Sequence, residues 1–215
     1  MRRGILEQIF NFMTATPYNQ KRKKAAFDEW VCQWHHERLN LARVPELLDR
    51  NRESKKMHEE AFVVYQYLKR FYKNRDIFVE LREGNQNFDA IIYDESDKFL
   101  EYVEVTCVPQ EDDHLRRKEL ANKGQYPLET ILTHHPTLDH FATLVRDGID
   151  KKLQKKYPAS TTLLVALSAE MIVEDKDRFK YVVSRLKPVV TPGIFSKIVI
   201  LDEPGVNYHT IKLIE

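Results

Sequence analysis

A chain of 215 residues that is 42% hydrophobic can bury a substantial core, and with 31% charged residues it is too apolar for a disordered protein. Its net charge of +1 singles out no partner. No run approaches the ~20 consecutive apolar residues of a membrane span, and the only two cysteines, Cys32 and Cys107, can build neither a disulfide scaffold nor a four-cysteine zinc site. One compact domain with an appendage, in the cytoplasm and without a membrane, is the expectation.

The first residues, MRRGILEQIFNFM, begin basic and turn apolar. Glu7, Gln8 and Asn11 interrupt the apolar run and no small-residue cleavage site follows, so the segment does not read as a signal peptide. Two basic clusters stand out: Arg2, Arg3, Lys21, Arg22, Lys23 and Lys24, and then Lys151, Lys152, Lys155 and Lys156. Such clusters attract phosphates, although each one alone is also a common solvated helix face. Phe27, Trp30, Val31, Trp34 and Leu41 recur at helical spacing, which predicts a helix over residues 22–43, with Pro45 interrupting it or starting a new one. A second helix is expected over 54–72, with Met57, Ala61, Val64, Leu68 and Phe71 on one stripe. Residues 1–50 are therefore read as an N-terminal helical extension and 51–215 as the core.

Strand signals then take over. Residues 76–81 (DIFVEL), 87–93 (NFDAIIY) and 98–108 (KFLEYVEVTCV) are short apolar runs separated by the turn residues Glu83-Gly84-Asn85 and Asp94-Glu95-Ser96-Asp97, the pattern of an antiparallel meander. Pro109 and Glu111-Asp112-Asp113 end it, and helices are expected at 114–123 and 137–157. Residues 161–168 (TTLLVALS) are almost wholly apolar and read as an interior strand. A helix over 175–187 and strands over 196–202 and 208–214 complete a mixed α/β sheet flanked by helices.

Two carboxylates fall on the meander. Asp89 shares a strand face with Ile91 and Tyr93, and Glu104 one with Leu100, Tyr102, Thr106 and Val108. A carboxylate among large apolar side chains is costly to bury unless it is paired or holds a metal. Strands about 4.8 Å apart can bring two carboxylates to one ion. Other constellations are weaker. Cys32, His35 and His36 sit beside Trp30 and Trp34 and read as helix packing. His134, His135 and His140 read as surface histidines near a helix start. Glycine-rich phosphate loops and the G-x-S-x-G elbow are absent.

The segment FDAIIYDESDKFLEYVEVT resembles the signature of the PD-(D/E)XK nuclease superfamily, in which an Asp on the second core strand precedes a Glu-x-Lys on the third, after a helix that often carries a Glu. Asp89 matches the Asp, Glu104-Val105 the first two positions of Glu-x-Lys, and Glu60 the helix Glu. The resemblance covers about residues 55–202. It implies a restriction-endonuclease-like core and a nuclease acting on nucleic acid, most simply DNA. It also implies Mg²⁺ (or Mn²⁺) held by Asp89, Glu104 and the Val105 carbonyl. Thr106 departs from the pattern, because it stands where the family has its Lys. Val145, Ile149, Lys152 and Lys156 are spaced as the inner seam of a helix, so Lys152 is the candidate for the missing charge. A nuclease fold without activity, binding nucleic acid or a protein, is the alternative. A third reading is a helical arm that joins two copies into a homodimer through the N-terminal helices.

Overall fold

The computed structural model describes residues 18–41, 57–84, 86–109, 137–168, 172, 175–187, 190–202, 205 and 207–212. Among these, seven strands form one mixed sheet in sequence order: β1 (Lys21–Lys23), β2 (Ile77–Leu81), β3 (Ala90–Asp94), β4 (Phe99–Pro109), β5 (Thr161–Ser168), β6 (Lys197–Asp202) and β7 (Tyr208–Lys212). The pairings β1–β2, β2–β3, β3–β4 and β6–β7 are antiparallel, whereas β4–β5 and β5–β6 are parallel. Parallel neighbours need a crossover. Helices α3 (Leu138–Leu153) and α4 (Lys176–Leu186) supply these crossovers, while α1 (Lys24–Leu41) and α2 (Phe62–Phe71) precede the meander. A π-helical turn, Met57–Ala61, runs directly into α2.

Alternation along the strands divides the core in two. Val79, Ile92, Val103, Val105, Leu164, Ala166 and Val199 face α1 and α2, where they meet Phe27, Trp30, Val31, Tyr67 and Leu68. Val108, Leu163, Val165, Leu167, Ile198 and Ile200 face α3 and α4, where they meet Phe141, Val145, Ile149, Phe179 and Val182. Strand β5 is therefore buried on both sides, which is why its sequence lacks alternation. α3 starts at Thr137, whose hydroxyl accepts from His140 N at 3.2 Å. α4 starts at Asp175, whose carboxylate accepts from Asp177 N and Arg178 N.

The mixed sheet, the antiparallel meander and the interior position of β5 agree with the sequence reading. Several boundaries differ. Residues 21–23 are not the first turn of α1. They form a short charged edge strand on β2, pairing Lys21 with Glu80 and Lys23 with Phe78. α3 ends at Leu153 rather than 157. A bulge opposite Ile92 and Tyr93 makes Leu100 the extra residue of β4, so Leu100 packs toward α2 and does not share the Glu104 side. The expected helix at 114–123, His134, His135 and the domain boundary near residue 50 lie outside the described residues. Among the described residues, no helix is long and apolar enough to cross a membrane.

One interior carboxylate went unnoticed in the sequence. Glu101 is 6% exposed on the α2 side of β4. Tyr67 and Tyr72 each donate a hydroxyl to its Oε1 at 2.6 Å, Thr162 donates to Oε2, and Lys197 Nζ lies 3.3 Å from Oε2. Burial, then the Glu101 charge, push both tyrosine hydroxyls up, so they stay protonated donors. Glu101→Ala would leave these groups without their acceptor. It should lower the unfolding free energy in urea by about 3–5 kcal/mol, and Tyr67→Phe by about 1 kcal/mol. A Glu101→Ala protein within about 1 kcal/mol of wild type would contradict this account of the network.

Candidate functional site

Glu104 points to the opposite side of β4 from Glu101, toward α3. Its side chain is only 8% exposed, and Lys152 Nζ lies 2.5 Å from its Oε1. The same ammonium donates to the Val105 carbonyl at 3.1 Å. The Tyr157 hydroxyl donates to Glu104 Oε1 at 3.3 Å. A charge this far from water needs such partners, and each is brought by a structural feature. Phe141, Val145 and Ile149 hold α3 down on the sheet as a buried stripe, and Lys152 continues it one turn on. Gly148 lets the helix approach closely, since a Cβ there would come within 3.3 Å of Val108 Cγ2. Beyond the helix, Tyr157 stacks on buried Phe195, with ring centroids 4.6 Å apart.

Asp89 stands just before β3, where the ladder to β4 ends. Its N–H donates to the Val103 carbonyl at 2.8 Å, and its carbonyl accepts from Arg82 N at 2.8 Å. Its carboxylate then receives Val105 N–H at 2.7 Å, so a side chain replaces the next backbone acceptor of the ladder. Asp89 and Glu104 lie on the same side of the sheet, because their neighbours Ala90 and Val103 pair with each other and both face the α1–α2 side. Burial pushes the Tyr157 hydroxyl up first, then the Glu104 charge and hydrogen bond, then the Asp89 charge. Tyr157 is therefore a protonated donor at neutral pH. The loop before Asp89 is tied to the same corner, since Asn87 Nδ2 donates to the Lys156 carbonyl at 2.7 Å.

The structure thus brings together Asp89, Glu104, Val105 and Lys152. Lys151, Lys155 and Lys156 are exposed. Thr106 lies two residues beyond Glu104 on the same side, and its half-buried side chain brings no charge. Glu60 belongs to the π-helical turn, which packs on β4 from the α1–α2 side, where Cys107 Sγ donates to the Glu59 carbonyl at 3.2 Å. Glu104 and Lys152 meet on the other side of the sheet. Among the described residues, no group of three or more His, Cys, Asp or Glu side chains could hold a metal ion. Cys32 is exposed and its Sγ lies 3.3 Å from the Tyr65 hydroxyl. Tyr157 is the member of the cluster that the sequence did not reveal. It follows the end of α3, where helical spacing no longer says which side chains turn inward.

No family model matches the chain, and neither the curated proteins nor the solved structures give a significant match.

The burial of Glu104 makes Lys152 a structural as well as a chemical partner. Lys152→Met should destabilise the fold by about 3–5 kcal/mol in chemical denaturation, because it leaves a buried carboxylate unpaired. Lys151→Met should stay within about 0.5 kcal/mol of wild type. In the double mutant Lys152→Met/Glu104→Gln much of the loss should be recovered. Equal effects of the two lysine substitutions would refute the pairing.

Proposed function

We propose that the chain is a metal-dependent nuclease with a PD-(D/E)XK-like core, cleaving phosphodiester bonds with Asp89, Glu104 and Lys152. The observation that carries this reading is the convergence of a buried Glu on β4, an Asp at the start of β3 and a Lys from α3 on one side of the sheet. The order of helix, three antiparallel strands, helix and parallel strand supports it as well.

The donor set suits a hard divalent cation. Glu104 Oε1 and the Val105 carbonyl already converge on one cation, the Lys152 ammonium. Asp89 adds a second carboxylate beside Val105. Mg²⁺ and Mn²⁺ accept such oxygen sets and take their remaining ligands from water and substrate phosphate. The ion, when bound by Asp89, Glu104 and the Val105 carbonyl, supplies an acidified water and a Lewis acid for the phosphate. Lys152 brings the positive charge that Thr106 cannot, from a different element but to the same carboxylate. Its ammonium neutralises charge on a reacting phosphate, and the Tyr157 hydroxyl fixes the orientation of Glu104. Glu60, on the other side of the sheet, is assigned no step.

A second reading has its own support. Lys152 fills the corner between Glu104 and Val105, so a metal entering there requires the ammonium to move off the Val105 carbonyl. A protein in which Lys152 never moves would keep the core without hydrolysis and bind nucleic acid only.

Incubation with DNA and RNA oligonucleotides and Mn²⁺ separates the two. Cleavage by the wild type should depend on the metal and be lost in Asp89→Asn. It should fall on the order of 10²-fold in Lys152→Ala and be unchanged in Lys151→Ala. Absence of cleavage on every substrate, or equal rates in the two lysine variants, would defeat the hydrolytic reading.

A further inference from the structure

On the side that carries Glu104, the sheet changes character at β4. Toward β5 and β6, α3 and α4 cover it. Toward β1, among the described residues, no helix packs on that side, and register and alternation present Tyr102, Phe99, Tyr93 and Phe78 there together with the buried Ile91 and Glu80, the latter paired with Arg82, and with Lys21 and Lys23 at the rim. Three rings form an unbroken row. Phe99 and Tyr102 have centroids 4.6 Å apart, as do Tyr102 and Phe88. Phe99 is 38% exposed, while Tyr102 and Phe88 are half-buried. The row leads to the carboxylates at its other end: Phe88 precedes Asp89, and Tyr102 is about 7 Å from Glu104 along the same side of β4.

Aromatic faces left partly open beside a phosphate-directed site have a specific use. Nucleobases stack on them whatever their sequence. In a duplex those faces are already stacked on neighbouring pairs, so unpaired bases are the ones that fit. Charge adds one feature for a polyanion, since Lys23 is exposed at the β1 rim of this face, while Lys152 at the Phe88 end is paired with Glu104. Lys21 lies 3.7 Å above the Tyr93 ring and is held there by Asp97 at 2.5 Å, which braces the rim. We infer that Phe99, Tyr102 and Phe88 form a stacking platform for unpaired bases, which makes single-stranded nucleic acid the ligand of this site. The inference rests on the nuclease reading for what happens to that ligand and on the ring row for what the ligand is.

The test is fluorescence anisotropy with a labelled oligothymidylate and a duplex of equal length, in EDTA so that nothing is cut. The single strand should bind at least about tenfold more tightly than the duplex. Phe99→Ser and Tyr102→Leu should each weaken it about tenfold. Phe99→Trp should retain it, and Tyr181→Ser, an exposed ring on α4, should change nothing. Circular dichroism confirms folding, and Tyr102→Leu, which keeps apolar volume, serves if Phe99→Ser does not fold. Equal affinity for both forms, or binding indifferent to the ring substitutions, overturns the platform. So does a dimer that Phe99→Ser dissolves in a protein that binds no oligonucleotide, since the row then meets a second copy. Metal-dependent cleavage of duplex that persists in Phe99→Ser overturns the platform but leaves the nuclease reading standing. Ring-dependent single-strand binding without cleavage in any metal upholds the platform and overturns hydrolysis.

Discussion

A carboxylate kept from water must be paired, and β4 carries two under that constraint, Glu101 on one side and Glu104 on the other, each 6% exposed. Glu101 on one side is satisfied by two tyrosines, a threonine and the more distant Lys197. Glu104 on the other side has an ammonium in direct contact and a single hydroxyl. The difference is chemical. Hydroxyls fix a carboxylate in place with short hydrogen bonds from uncharged donors. A lysine at the end of a helix can swing away, because its stem is flexible and its charge is a point rather than a fork. Glu101 is held by fixed donors, whereas Glu104 has a partner that can move, which is what the proposed metal site requires.

The surrounding elements are arranged around that exchange. α3 must lie low enough on the sheet for Lys152 to reach Glu104, and Gly148 with the Phe141–Val145–Ile149 stripe provides this. Asp89 must stay beside Val105, and the end of the β3–β4 ladder provides it, since the carboxylate itself takes the Val105 N–H. Tyr157 and the bond from Asn87 to the Lys156 carbonyl tie the end of α3 to the loop before Asp89. The corner therefore rests on β3, β4 and α3. The aromatic side of β2–β4, on which no described helix packs, is the neighbouring surface proposed for the ligand.

The sequence made some of this legible and not the rest. β5 was readable because five consecutive apolar residues, Leu163 to Leu167, in a run this short admit few other structures. Lys152 was readable because helical spacing sets it in line with Val145 and Ile149, so its inward direction is a matter of period alone. Leu100 was misassigned because a bulge shifts every alternation argument across it, and no residue type announces that bulge. Arg22 and Lys23 read as helix because charge says nothing about edge pairing. Glu101 was overlooked because its partners, Tyr67, Tyr72, Thr162 and Lys197, come from elements far apart in the chain. Tyr157 lies past the last helical turn, where spacing carries no direction.

The central claim is that Asp89, Glu104 and the Val105 carbonyl hold a divalent ion once Lys152 moves aside. The most direct measurement is diffraction at the manganese absorption edge from crystals grown with Mn²⁺. The account predicts an anomalous peak about 2.1 Å from oxygens of Asp89 and Glu104, with the Lys152 ammonium displaced from the Val105 carbonyl but still near Glu104. A map without that peak, with Lys152 still bridging Glu104 and Val105 at saturating Mn²⁺, would contradict it.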